Sequence, residues 1–219
     1  MPNTETKVYH YNELPENAKQ KARNHYIENW VHDDWYDYVY SMAIEDGKKH
    51  GFVIDNIYFS GFYSQGDGAC WEGSVDLYDF LDSHANNSIG RDCWVWLIAD
   101  GWIHNSVDIK RHPSHYSHSG CMYAGAIDEY GFYDGYIGLD CIIKGMPVRS
   151  VYDLIAADPN CNVKDFAELT TMIETSAKAY ADKIYSDLRN SYEWLCTDEN
   201  ISEVYDANEI LFNEEGEIV

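Results

Sequence analysis

GFVIDNIYFSGFYSQGDGACWEGSVDLYDFL, residues 51–81, reads as a β-hairpin. Val53, Ile54, Ile57, Tyr58, Phe59 and Phe62 supply one strand, rich in β-branched and aromatic side chains. Ser64 to Ala69 form a polar Gly–Asp–Gly connection, and Trp71, Val75 and Leu77 carry a returning strand. Downstream, Val107 and Ile109, a turn around Pro113, and Met122 to Ile127 predict a second hairpin. Between the two, CWVWLIADGWIH (93–104) is apolar and fits either a short helix or a buried strand. The Tyr- and Gly-rich EYGFYDGYIG (129–138) reads as loop.

Helices flank these strands. Residues 5–11 suggest a short strand, after which Asn12 is an expected N-cap, with Pro15 and Glu16 in the first turn. Leu14, Ala18, Ala22, Tyr26 and Trp30 then recur at four-residue steps, predicting a helix over 13–30. Asp33 and Asp34 can cap a second helix, with Trp35, Val39, Met42 and Ala43 on its apolar side and Gly51 ending it. From Val163 to Leu195, apolar residues fall at three- and four-residue steps, the clearest helix in the chain. Thr197 is the expected N-cap of a short last helix, and residues 209–212 a closing strand. Strands in the middle and helices at both ends predict an α+β fold with a central antiparallel sheet. With no linker or repeat, residues 1–219 read as one domain, 1–150 with the helix pair and sheet and 151–219 as a helical part packed on it.

The chain of 219 residues carries 38 acidic and 15 basic side chains, a net charge of −23. That excess excludes ordinary binding to nucleic acid or to an anionic membrane, both polyanions. An apolar content of 45% with 15% aromatic residues excludes a disordered acidic chain. Nothing approaches the roughly 20 apolar residues of a membrane span, and the first residues lack the apolar core of a signal peptide. The six cysteines are widely spaced without a CxxC, which reads as free thiols in a cytoplasmic protein.

Three constellations could carry chemistry. Ser64, Gln65, Asp67 and Glu72 offer oxygens for a small, nucleotide-like ligand or a cation, with nearby aromatic rings to stack on a base. A phosphorylated ligand would also need Arg91, Lys110 and Arg111 gathered in one pocket. The competing reading is a turn in which Asp67 bonds its own backbone. His112, His115, His118 and Cys121 bring zinc-type donors, and the three histidines with Asp67 or Glu72 would build a metal-dependent enzyme using zinc or another divalent cation. Their three-residue spacing splits them between the two faces of a strand, and Pro113 and Gly120 oppose a helix, so only a loop could gather them. No known nucleophile–base motif occurs. Finally, no Lys or Arg lies between Lys49 and Arg91 or after Arg189. Asp76, Asp79 and Asp82, and Asp198, Glu199, Glu203 and Asp206, fall in these gaps and are candidate contacts to a basic protein. The charge exceeds the magnitude of about 2–8 that suffices for solubility in a small domain.

Taken together, ELPENAKQKAR, IYFSGFYSQGDGACWEG, HYSHSGCM and YEWLCTDENISEVYDANEILFNEEGEI resemble a group of bacteriophage proteins of unknown function, some carrying an antitoxin-like label. The resemblance spans about residues 8 to 217, and SGFYSQGDGA and the C-terminal block are its most specific parts. It implies phage origin and a shared fold, with Cys70 and Cys121 departing from the group's usual residues. The expected function is that of an acidic interaction protein, without catalytic residues, that binds and inhibits a host protein of a defence or nucleic-acid-handling kind.

Overall fold

The computed structural model describes residues 7–31, 34–84, 104–127, 142–143, 146–147 and 166–219. Its architecture is α+β. The elements are α1 (Glu16–Asn29), α2 (Asp37–Lys48), β1 (Phe52–Ser60), β2 (Gly68–Asp76), α3 (Leu77–His84), β3 (Ser106–Arg111), β4 (Met122–Ala124), β5 (Ile142–Ile143), β6 (Met146–Pro147), α4 (Phe166–Leu195) and α5 (Asp198–Ala207). The chain divides into two compact units, residues 40–185 and residues 1–39 with 186–219. The boundaries fall inside α2 and α4.

In the unit of residues 40–185, β1 to β4 form one antiparallel sheet in sequence order. The ladder runs from Phe52↔Val75 to Ser60↔Gly68 with one irregularity between Ile54 and Asn56. Side chains alternate along a strand, so Phe52, Ile57, Trp71, Val75, Val107 and Ile109 share one buried face. α4 supplies Leu169, Ile173, Ala177, Tyr180 and Ile184 as its buried stripe here. Trp71 Nε1 donates to the Ala177 carbonyl at 3.1 Å, and the Phe52 and Tyr180 rings lie 5.2 Å apart. The opposite face carries Tyr58, Ser60, Cys70 and Glu72.

A helix follows β2 where the sequence pattern continues the strand. Leu77, Phe80 and Leu81 are buried on one side of α3. Asp76 caps it, accepting from the Asp79 N–H at 2.9 Å. Asn105 reinforces the cap: its Oδ1 accepts from Tyr78 N–H and its Nδ2 donates to Asp76 Oδ2. Gly51 closes the turn after α2 at φ 76°, as expected of a left-handed residue, and an added Cβ would fall 2.4 Å from Phe80 N.

The C-terminal end of α3 builds an aromatic cluster. His84 stacks on Phe80 at 4.1 Å, 6.1 Å from Phe52 and 5.8 Å from His50, whose ring lies 5.7 Å from Tyr180. Burial, with His50 adding to it, pushes the His84 imidazole below its ordinary range. The unfolded chain therefore takes up this proton first as pH falls through about 6.5, and stability declines below that pH. We expect the urea midpoint of the native protein to fall between pH 7.5 and pH 5.5, and His84→Leu to reduce that fall. An equal pH dependence in the variant would assign the effect to other groups.

In the unit of residues 1–39 and 186–219, α1 turns Ala18, Ala22 and Tyr26 toward Ile201 and Tyr205 of α5, with Tyr11, Leu14 and Phe212 completing the core. Thr197 caps α5 as expected, its Oγ1 accepting from Asn200 N–H at 3.3 Å. The cap of α1 is different. Pro15, extended at ψ 154°, occupies the N-cap position. Asn12 lies in a 3-10 turn (Tyr11–Glu13) and donates to Ser202 Oγ at 2.6 Å. The two expected terminal strands reduce to bridges, Tyr9↔Phe212 and Phe212↔Ile218. The 3-10 turn ends the first, since it turns the fully buried Tyr11 into the core.

The segments 93–103 and 129–138 lie outside the described residues. Cys70, Cys121 and Cys196 are free thiols.

Candidate functional site

The connection between β1 and β2 is held by its own groups. Asp67 Oδ2 accepts from the backbone N–H groups of Tyr63 and Ser64 at 2.9 and 2.6 Å, and Asp67 N donates to the Ser64 carbonyl at 3.1 Å. A carboxylate so placed stabilises a turn. The 112–121 loop docks against this tip. Ser60 Oγ donates to the Ser117 carbonyl and accepts from Ser117 N–H, both at 3.1 Å. Tyr116 lies against Gly66, which adopts φ 96°, and a Cβ added at Gly66 would fall 3.2 Å from its ring. His118 covers Gly68 so closely that a Cβ there would meet its own at 2.6 Å. Ser64 and Gln65 are exposed, and Tyr63 is 83% exposed.

Glu72 sits apart from this turn, on β2. It accepts from Tyr58 OH at 2.9 Å, and Arg111 Nε lies 3.9 Å from its other oxygen. The Arg111 guanidinium also stacks 3.8 Å above the Tyr58 ring. The bond to Glu72, then burial, raises the Tyr58 phenol above its usual range. Cys70 is fully buried alongside, and burial raises its thiol while Arg111 opposes. Sequence reasoning missed this Arg–Tyr–Glu group, because cross-strand neighbours follow only from the register. The expected ligand set thus separates: Asp67 and Glu72 both act within the fold. Of the three cations a phosphorylated ligand would need in one pocket, two are engaged elsewhere. Lys110 Nζ pairs with Asp108 at 2.9 Å, Arg111 belongs to the Glu72 group, and Arg91 lies outside the described residues.

The histidines do not converge. His112 stacks on Tyr123 at 4.4 Å, His115 meets Tyr116 edge-on at 4.9 Å, and His118 Nε2 lies 3.3 Å from Cys121 Sγ. His112 N–H donates to the Cys121 carbonyl, so these two close the mouth of a loop that carries His115 away. Among the described residues, no group of three or more His, Cys, Asp or Glu side chains could hold a metal ion. The expectation that His112, His115, His118 and Cys121 form one ligand set is corrected accordingly.

Three of the seven candidate partner contacts are fold residues. Asp76 caps α3. Asp198 accepts from Tyr11 OH at 2.7 Å and from Arg23 Nη2 and Nε at 2.7 and 3.1 Å, which holds its carboxyl below the usual range. Asp206 engages His10 at 2.9 Å and Ser202 at 3.3 Å. Asp79, Asp82, Glu199 and Glu203 are exposed.

The cations of the unit of residues 1–39 and 186–219 are drawn into internal contacts. Lys21 pairs with Glu217 and Arg189 with Glu193, each at 2.7 Å, and Arg23 with Asp198. Lys7 and Lys19 lie over the rings of Tyr9 and Tyr11. Glu199, Glu203, Glu209, Glu214 and Glu215 are exposed. These 73 residues hold 17 acidic and 5 basic side chains, a net of −12, against −11 over the 146 residues of the other unit.

The antiparallel sheet with its covering helix defines a protein of the α+β class. Within that class, the chain belongs to the family described as Domain of unknown function (DUF8835), whose model matches residues 35–198. No curated protein and no solved structure matches it. Among the described residues, no helix is long and apolar enough to cross a membrane.

Proposed function

We propose that this is an acidic interaction protein of phage origin that binds and inhibits a cationic host protein in the host cytoplasm, one of a defence or nucleic-acid-handling kind. One observation carries the reading. The unit of residues 1–39 and 186–219 combines a net charge of −12 with cations engaged in its own contacts, so Glu199, Glu203, Glu209, Glu214 and Glu215 face solvent in excess. A rigid array of carboxylates steers a basic surface from a distance and stands in for the phosphates such a surface would otherwise hold. The Asp198–Arg23 and Asp206–His10 contacts keep the helix carrying Glu199 and Glu203 in place.

The test is affinity capture from nuclease-treated bacterial lysate, washed at low and then moderate salt, with the combined Glu199→Lys, Glu203→Lys, Glu214→Lys and Glu215→Lys variant in parallel. Native protein should retain one basic host protein or complex that elutes as salt screens the charges, and the variant should lose it. Capture of the same complex by both proteins would end the charge-based reading.

A further inference from the structure

We propose that the cleft between the Lys7–Tyr9 segment and the Asn213–Glu217 turn receives an arginine side chain of the cationic partner. This rests on the acidic-interaction reading above and gives it one anchor, inside the same compact unit as the exposed carboxylates.

The cleft is open, about 470 Å³ in volume, and lined by Lys7, Tyr9, Asn213, Glu214 and Glu215. Both of its walls are fixed. Tyr9 and Phe212 exchange two backbone hydrogen bonds at 2.9 and 3.0 Å, which holds the Tyr9 segment beside the turn. Within the turn, Asn213 Oδ1 accepts from the Glu215 and Glu217 N–H groups at 3.0 and 2.9 Å. Asn213 N donates to the Glu217 carbonyl at 2.9 Å. Gly216, at φ 79°, lies so close to α1 that an added Cβ would fall 2.3 Å from the Ala18 carbonyl oxygen. Carboxylates carried on such a backbone lose less freedom on binding than those of a mobile tail.

Three groups remain to meet a ligand. Asn213 Nδ2 donates to Glu217, and Glu217 pairs with Lys21, so both serve the fold. Glu214 and Glu215 are exposed, and among the described residues neither carboxylate has an ion-pair partner. The third group is the Tyr9 ring, which already holds a cation: Lys7 Nζ lies 4.9 Å from its centroid. A cation-accepting ring therefore stands in one cleft with two free carboxylates. A lysine of the partner would only repeat the contact that the tethered Lys7 makes. A guanidinium does more, since its plane stacks on the ring while its N–H groups fork to carboxylates.

The experiment titrates octa-arginine and octa-lysine peptides, equal in charge, by fluorescence anisotropy at low salt. Native protein should bind octa-arginine about threefold to tenfold more tightly, the range of an exposed cation–π contact joined by an ion pair. Glu214→Gln combined with Glu215→Gln should bring the two peptides to equal affinity. Glu199→Gln combined with Glu203→Gln removes the same charge from the same unit, and should weaken both peptides while keeping the preference. Lys7→Ala, which frees the ring, should tighten octa-arginine more than Lys19→Ala, an equal charge change over the Tyr11 ring. Urea midpoints near the native value would establish that the variants are folded. Equal binding of the two peptides by native protein, a preference that survives the Glu214 and Glu215 changes, or equal effects of the two lysine changes overturns the cleft proposal and leaves the acidic reading standing. Failure of both peptides to bind native protein overturns both.

Discussion

Tyr205→Ala should destabilise the protein by about 3–5 kcal/mol, the cost of removing a fully buried aromatic side chain. Tyr205 lies at the centre of an aromatic cluster: its ring is 4.9 Å from Phe212, 5.6 Å from Tyr26, 5.7 Å from Trp30 and 5.9 Å from Tyr11. Three of these contacts are edge-on, the arrangement favoured by ring quadrupoles. Its hydroxyl donates to the Ala22 carbonyl at 2.9 Å, tying α5 to α1. Alanine removes the ring from all four neighbours and leaves a cavity between α1 and α5. Tyr205→Phe keeps the packing and loses one buried bond, so it should cost only about 1–2 kcal/mol. Burial pushes the Tyr205 phenol up to about 12. The unfolded chain ionises first, near 10, so this contribution is full below pH 10 and lost as pH rises toward 12. Urea unfolding, with the midpoint shifted at unchanged slope, measures all three. A loss below about 1 kcal/mol for the alanine variant would contradict this account of the core.

Trp71→Ala should cost a similar amount, about 3–5 kcal/mol. Trp71 is fully buried in the middle of β2, its ring 5.3 Å from Phe52. Its indole N–H reaches the Ala177 carbonyl of α4, so one residue joins sheet to helix by packing and by a hydrogen bond. Trp71→Phe retains part of the ring and loses the donor, and should fall between the native protein and the alanine variant. Denaturant midpoints of the three proteins provide the check. Equal stability of the phenylalanine and native proteins would mean that the indole bond contributes nothing.

The candidate site was legible in one of its parts and hidden in the rest. Self-capping by Asp67 follows from Asp between two glycines, and the structure supports that reading over a ligand loop. The carboxylates of α5 share a short segment yet differ in role. Asp198 faces Arg23 and Tyr11 across to other segments, whereas Glu199, one residue along, faces solvent. A helix turns by about 100° per residue, so neighbours in sequence are not neighbours in environment. Charge counting treats them alike. The histidines illustrate the same limit: three-residue spacing says which donors exist, and only the path of the 112–121 loop decides that they part.

Features that depend on local order were readable from residue types and spacing alone. The SQGDG turn between two β-rich runs placed β1 and β2, the three- and four-residue apolar steps placed α1 and α4, and Thr197 placed the start of α5. Period and turn chemistry act over a few residues and are written in those residues. The remainder follows from contacts between distant segments. Asp76 ends a strand and caps a helix because Asn105, 29 residues away, completes the cap. The terminal strands shrink to bridges because Tyr11 is drawn into the core beside Tyr205 and Phe212. Asp198 is an internal ion-pair partner because α1 brings Arg23 to it. Each depends on a contact between residues distant in sequence, and burial and pairing across that distance outweigh local preference.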